Sequence, residues 1–157
     1  MKSFSLIEVL IYSVLVSIIL LTAFQIFSPI QDTAKFSESQ SEFERNFNFI
    51  ENTLSYWIRQ ADSVININPT YLELAMSDAS NNPTKFRLSG DNLEISQGSP
   101  DNWQVLNSSN VKVSRLLFEK IEVSPCPPLI SFEIELKGKI KGKEITRTIK
   151  STVGLRK

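Results

Sequence analysis

The chain has 157 residues, 41% of them hydrophobic and 22% charged, and its formal net charge at pH 7 is zero. This composition excludes collagen-like and disordered proteins, and the length suits one domain with a modest core. Histidine is absent, so the commonest general base and metal ligand is missing, and the single cysteine cannot form an internal disulfide.

The charges are divided unevenly along the chain. Residues 1–111 carry six basic and twelve acidic side chains, whereas residues 112–157 carry eleven basic and five acidic ones. The simpler interpretation is two solvated surfaces of opposite sign. The alternative is head-to-tail electrostatic complementarity between neighbouring copies or partners, and the sequence leaves both open.

The first element is an uncharged apolar segment that runs from Val9 to Gln31. About 20 helical residues span a hydrocarbon core of about 30 Å, so this segment predicts a single membrane-spanning helix. A cleaved secretory signal is the alternative, but the run exceeds the usual ~7–15 apolar residues and no small-x-small cleavage site follows it. A buried core helix of this length does not suit so small a domain.

Glu8 lies inside the apolar stretch, which begins at Phe4. A carboxylate in the membrane costs roughly 2.5–3.5 kcal/mol, so an ionisable group there is by default functional and needs a partner. The nearby cation in this chain is Lys2. The alternative is a carboxylate that reaches water at the interface, since Glu8 lies near the end of the segment.

The residues around Glu8 form a specific motif, Ser3-Phe4-Ser5-Leu6-Ile7-Glu8-Val9-Leu10-Ile11. It resembles the prepilin cleavage and methylation motif of type IV pilins and type II secretion pseudopilins. The resemblance implies that a prepilin peptidase cuts between Ser3 and Phe4, that the new amine of Phe4 is methylated, and that Glu8 aligns an incoming subunit. Ser3 departs from the glycine that the family usually has before the cut.

The apolar run ends at Pro29, and the membrane helix is expected to continue, with a bend there, into a helix that packs on a soluble domain. A proline inside a helix kinks or breaks it. Beyond Pro29, apolar residues recur at steps of three, four and seven, which predicts an amphipathic helix with a core-facing stripe. The stripe consists of Phe36, Phe43, Phe47, Ile50, Leu54, Trp57 or Ile58, and Ala61.

After Asp62 the apolar residues alternate with polar ones, which predicts β-strands. The eight candidates are Val64–Ile67, Tyr71–Met76, Lys85–Ser89, Leu93–Ser96, Trp103–Leu106, Val111–Val123, Leu129–Leu136 and Glu144–Val153. The segment from Leu88 to Leu93 contains Gly90 and predicts a tight turn between paired strands. Residues 129–136 alternate strictly, which predicts one buried face and one wet face.

Two further features of the head have more than one interpretation. Lys137, Lys139, Lys141 and Lys143 form either a basic patch for DNA or a lysine-protected edge strand or hairpin tip. The second interpretation is favoured because no aromatic residues lie between the lysines to stack on bases. Cys126 lies in a proline-rich loop and is interpreted as a buried or idle thiol, because no histidine exists to activate it.

The resemblance implies an α+β pilin fold, in which a long N-terminal helix packs on a C-terminal antiparallel sheet. The expected parts are a leader at 1–3, a transmembrane and assembly helix at 4–30, an amphipathic helix at 31–62 and a β-rich head at 63–157. The finer features are loosely similar to J-type minor pseudopilins; they are Trp57–Asp62, Phe86–Leu88 with Gly90 and Leu93, and Thr148–Arg156.

The predicted function is that of a minor pilin or pseudopilin, with no enzymatic activity, cofactor or metal. No Gly-rich phosphate loop, metal-ligand cluster or paired nucleophile and base occurs in the sequence. The implied partners are other pilins, prepilin peptidase and an inner-membrane assembly platform. The implied location is the bacterial inner membrane, with a cytoplasmic N-terminus and an extracytoplasmic head. The alternatives are a DNA-uptake pilin and a plain membrane-anchored binding domain.

Overall fold

The computed structural model describes residues 5–122, 127–140 and 143–156, and of residues 26–36 it describes the backbone alone. The chain divides into two compact units, Met1–Ser39 and Gln40–Lys157. The second unit, here called the head, contains all eight strands. The helix α1 spans Leu6–Gln60 and contributes residues to both units.

The part of α1 inside the head supplies one wall of the core. Its four buried side chains recur at steps of seven and four; they are Phe43, Ile50, Leu54 and Ile58. The predicted stripe is therefore confirmed from Phe43 onward, with Phe47 partly buried against the core and Ile58 rather than Trp57 in the buried position. The side chain of Phe36, the first predicted member, lies outside the described residues. The helix ends at Gln60, two residues before the predicted boundary, and the buried Ala61 begins the first strand instead.

Five strands form an antiparallel sheet, called sheet A, in the order in which they occur along the chain. They are β1 at Ala61–Asn68, β2 at Tyr71–Met76, β3 at Thr84–Ser89, β4 at Asn92–Gln97 and β5 at Gln104–Val105, with a short 3₁₀ helix at Ala79–Asn81. Ser89 and Asn92 are opposite one another, so a two-residue turn joins β3 to β4. Gly90 occupies this turn with φ of 60°, which glycine adopts without steric strain, and the predicted tight turn is confirmed.

Three longer strands form a second antiparallel sheet, called sheet B, with β7 in the middle. They are β6 at Val111–Ile121, β7 at Leu129–Ile140 and β8 at Lys143–Gly154. Along β7 the buried residues alternate with residues that reach water, as the sequence predicts. All eight predicted strands are present, and β7 continues four residues beyond its predicted end.

The helix and both sheets share one hydrophobic core within the head. Backbone hydrogen bonds also join the sheets, because the amide of Phe118 donates to the carbonyl of Pro69 at 2.9 Å and that of Val113 donates to Asp91 at 2.9 Å. The buried side chain of Asn107 donates to the carbonyl of Val111 at 2.6 Å. The predicted α+β class, with a long N-terminal helix and antiparallel sheets, is confirmed.

Gly138 brings β7 close to α1. A Cβ atom at this position would lie 2.6 Å from Cδ2 of Phe43, which is far closer than real Cβ atoms approach a neighbour. The absent side chain of Gly138 therefore leaves the room that the ring of Phe43 occupies. This contact fixes where the helix meets the end of sheet B.

We expect Gly138→Ala to lower the free energy of unfolding by about 1–3 kcal/mol, because the added methyl group overpacks the contact with Phe43. Denaturation of the full chain in detergent, followed by tryptophan fluorescence, measures the change. In a Phe43→Leu background the same substitution should be less destabilising, because the planar ring is then gone. Equal losses in both backgrounds would contradict the proposed contact.

Candidate functional site

The most prominent surface of the chain is the apolar part of α1. Residues Leu6–Gln25 have a mean hydropathy of 2.5, and none of this segment is buried within the structure. By length and composition it is long and apolar enough to cross a membrane, a test that a signal sequence near the N-terminus also passes. Continuous exposed apolar surface of this kind marks a membrane or protein contact.

The serine and threonine hydroxyl groups in this segment bond to the helix itself. Ser13 donates to the carbonyl of Leu10 at 2.8 Å, and Ser17 donates to that of Ser13 at 2.8 Å. Thr22 likewise donates to Ile18 at 3.0 Å. These side chains need no water, so they are compatible with a hydrocarbon environment.

Glu8 is the only charged residue between Leu6 and Gln25. Its side chain is exposed, and its carboxylate makes no hydrogen bond or ion pair with any residue that the structure describes. Its backbone amide donates a 2.9 Å bond to the carbonyl of Ser5 in the first helical turn. Among the residues that the structure describes, nothing compensates the charge of this carboxylate.

Several predicted site residues lie outside the described residues. Ser3 and Phe4, between which the cleavage is predicted, belong to this group, as does Cys126. The predicted kink at Pro29 falls within residues 26–36, whose side chains are not described, although their backbone is assigned to α1. These assignments remain predictions.

The predicted lysine cluster lies where β7 turns back into β8. Lys137 and Lys139 are on the exposed face of β7, Lys143 begins β8 opposite Ile140, and Lys141 lies outside the described residues. Because β7 pairs with both β6 and β8, the edge-strand interpretation is wrong for Lys137 and Lys139. The hairpin-tip interpretation agrees with the pairing of the strands.

Sequence reasoning missed a fourth described lysine, Lys112, which lies on β6 directly opposite Lys137. The two residues are far apart in the sequence, so only the register of β6 against β7 reveals that they are neighbours. The register could not be read from the alternation of β6, because an irregularity between Val113 and Arg115 shifts it.

This end of sheet B is also where α1 enters the head. Arg147 of β8 lies 2.8 Å from the carboxylate of Glu44 and 5.8 Å from the centre of the Phe47 ring. On the other side of the helix, the carboxylate of Glu42 accepts hydrogen bonds from Ser108 at 3.1 Å and Asn110 at 3.2 Å. Polar contacts on two sides therefore hold the first turns of the helix within the head.

A second charged network covers the outer face of sheet A. The guanidinium of Arg87 lies 3.8 Å from the centre of the Trp103 ring, and its Nε lies 2.7 Å from the carboxylate of Glu94. Lys85 donates a 2.7 Å hydrogen bond to Asp101, which raises the pKa of Lys85 above its ordinary value. These contacts hold the loop before β5 against the sheet, which is a structural role.

No group of three or more metal-ligating side chains occurs within the described part of the chain. No protein family, curated protein or solved structure matches this chain. The case for a function therefore comes from the chain's own residues, above all from Glu8 and the apolar helix that carries it.

We expect arginine at two central positions of the apolar segment, Leu15 and Ile19, to prevent membrane integration. Each arginine at the centre of a span opposes insertion by about 2.5–3.5 kcal/mol. Alkaline extraction of membranes should release the Leu15→Arg, Ile19→Arg double variant but leave the native chain in the pellet. The matched control is Leu15→Val, Ile19→Val, which should stay in the pellet; release of both variants, or of neither, would contradict a spanning role.

Proposed function

We propose that this chain is a minor pilin or pseudopilin, a membrane-anchored subunit that joins or initiates a type IV pilus or a type II secretion pseudopilus. Glu8 is the observation that carries the proposal. It is a single exposed carboxylate in an otherwise uncharged span, and the described residues offer it no partner. A charge in that position is costly unless something outside the chain neutralises it.

A neighbouring subunit is the source of the neutralising charge. Cleavage between Ser3 and Phe4 would remove Lys2 and create a new amine on Phe4. In a staggered bundle of such helices, the carboxylate of one subunit would lie beside the amine of another. Because a buried ion pair contributes little net stability but strongly penalises a missing partner, the pair would set the register of assembly.

The way in which α1 joins the head also supports a pilin-like subunit. The first part of α1 exposes apolar side chains on all sides, whereas the last part buries a stripe in the head, including the fully buried Ile50 and Leu54. One helix thus combines an anchor with the wall of a β-rich domain, as the pilin resemblance implies. Lys2 would keep the N-terminus on the cytoplasmic side, which leaves the head outside the inner membrane.

A plain membrane-anchored binding domain is the competing function, and processing separates the two. When the chain is produced with a prepilin peptidase, mass spectrometry should find a product that begins at methylated Phe4. We expect Ser3→Gly to be cut as well, whereas Ser3→Trp should remain uncut because a bulky side chain replaces a small one beside the scissile bond. A native chain that keeps Met1 under these conditions would favour the plain anchor.

The role of Glu8 has its own test. We expect Glu8→Ala to reduce incorporation into sheared filaments by at least about tenfold, because breaking a buried ion pair leaves the amine of Phe4 unpaired at about 3–5 kcal/mol. Immunoblots of the filament and membrane fractions measure incorporation and insertion separately, and insertion should be unchanged. Ser13→Ala, which removes a polar group from the same span without a change of charge, is the control. Normal incorporation of Glu8→Ala would remove the alignment role.

A further inference from the structure

The end of sheet B that carries the β7–β8 hairpin concentrates positive charge. Its described lysines, here called the lysine end, are Lys112, Lys137, Lys139 and Lys143. Residues 137–144 contain four lysines, including Lys141 outside the described part, and one glutamate. All four described lysines are exposed, so their charges face solvent.

The ion pairs within the chain leave much of this charge available. Lys112 pairs with Asp91 at 2.7 Å and Lys137 approaches Glu135 at 3.6 Å, but both lysine side chains remain accessible, at 66% and 45%. Exposed pairs of this kind contribute little to stability. Lys139 and Lys143 make no ion pair or hydrogen bond with any described residue, although Glu144 lies opposite Lys139 on β8.

The register of the strands also opposes stability at this end. Lys112 and Lys137 lie directly opposite one another, and like charges in that position are destabilising. The carboxylates of Asp91 and Glu135 offset part of this repulsion, because each lies beside one of the two lysines. The positive charge that remains accessible to solvent suits this surface to an anionic partner.

The lysine end lies where α1 enters the head. Gly138 contacts Phe43, the first buried helix residue of the head, and Arg147 pairs with Glu44 in the next position. The apolar segment that ends at Gln25 is connected to the head only through residues 26–39 of the same helix. The end of the head that carries the lysines is therefore the end through which the chain leads to its membrane anchor.

Nucleic acid and an anionic lipid surface could both bind such a surface. The side chains around the lysines distinguish the two. Binding of single-stranded nucleic acid relies on aromatic side chains that stack on bases. Residues 111–115, 135–140 and 143–148 contain no aromatic residue. The rings that α1 brings to this end, Phe43 and Phe47, pack against the core. Anionic lipid headgroups require only positive charges close to the surface, and each lysine there strengthens binding by about fivefold.

We propose that the lysine end binds the anionic phospholipid headgroups of the membrane in which the chain is anchored. The contact would hold the base of the head against the bilayer before the subunit leaves the membrane. The proposal rests on the membrane anchor of the proposed function, but it requires neither cleavage after Ser3 nor assembly with other subunits.

The test uses the full-length, uncleaved chain in nanodiscs of phosphatidylcholine alone or of phosphatidylcholine mixed with phosphatidylglycerol. A short pulse of acetic anhydride, followed by mass spectrometry, measures how readily each lysine is acetylated. We expect acetylation of Lys139 and Lys143 to be at least about threefold slower in the mixed discs, when each is normalised to Lys120 at the opposite end of sheet B. High salt should abolish the difference, because it screens exposed charges.

Two double variants sharpen the result. Lys139→Gln with Lys143→Gln should also reduce the protection of Lys112 and Lys137, because the remaining charges bind the surface less strongly. The matched control, Lys120→Gln with Lys150→Gln, removes the same charge elsewhere on sheet B and should leave that protection unchanged. Because this variant lacks Lys120, its acetylation rates are normalised to Lys85 instead.

The outcomes separate this proposal from the others. Equal acetylation in both kinds of disc would overturn the lipid-binding proposal and leave the proposed function untouched. Protection by a single-stranded DNA oligonucleotide, with no effect of phosphatidylglycerol, would overturn it in favour of a nucleic-acid surface. A chain that fails to enter either disc would overturn the membrane anchor, and this proposal with it.

Discussion

The two halves of α1 differ in how their apolar side chains are placed, and this difference constrains the whole structure. The first half exposes them, whereas the second half buries them in the head. The segment Leu6–Gln25 forms a helix, bonds its serine and threonine hydroxyl groups to its own carbonyls and exposes its apolar side chains. The last turns of the same helix bury Ile50, Leu54 and Ile58 in the head, where they exclude water completely. The head cannot be separated from the end of the helix without losing a wall of its core, so the apolar segment and the folded domain share one continuous helix.

The position of the helix within the head depends on one small residue and a few polar contacts. Gly138 admits the ring of Phe43, and Arg147 and Ser108 engage carboxylates on opposite sides of the helix. Apolar packing alone is non-directional and would tolerate rotation of the helix. Hydrogen bonds and ion pairs are directional, so they restrict the helix to one orientation at the point where it enters the head.

Most of the fold could be predicted from local patterns, because period and turn chemistry are properties of neighbouring residues. The buried helix positions from Phe43 to Ile58, the alternation of β7 and the turn at Gly90 are of this kind. Contacts between distant segments could not be predicted, and these include Lys112 opposite Lys137 and Arg87 against Trp103. The predicted end of β7 is four residues too early because Gly138 is a weak strand former. The strand continues to Ile140 because its backbone still pairs with β8 there.

The division of charge along the sequence follows the architecture, since the basic segment 112–157 corresponds to sheet B and the acidic one to α1 and sheet A. Part of the opposite charge is used inside the chain, where Lys112 meets Asp91 and Arg147 meets Glu44. The remaining charges act in two different ways. Glu8 has no partner among the described residues, and within a membrane span a single charge would be costly enough to favour one partner at one position. The exposed lysines of the head are each screened by water, so they can act only together and on an extended anionic surface.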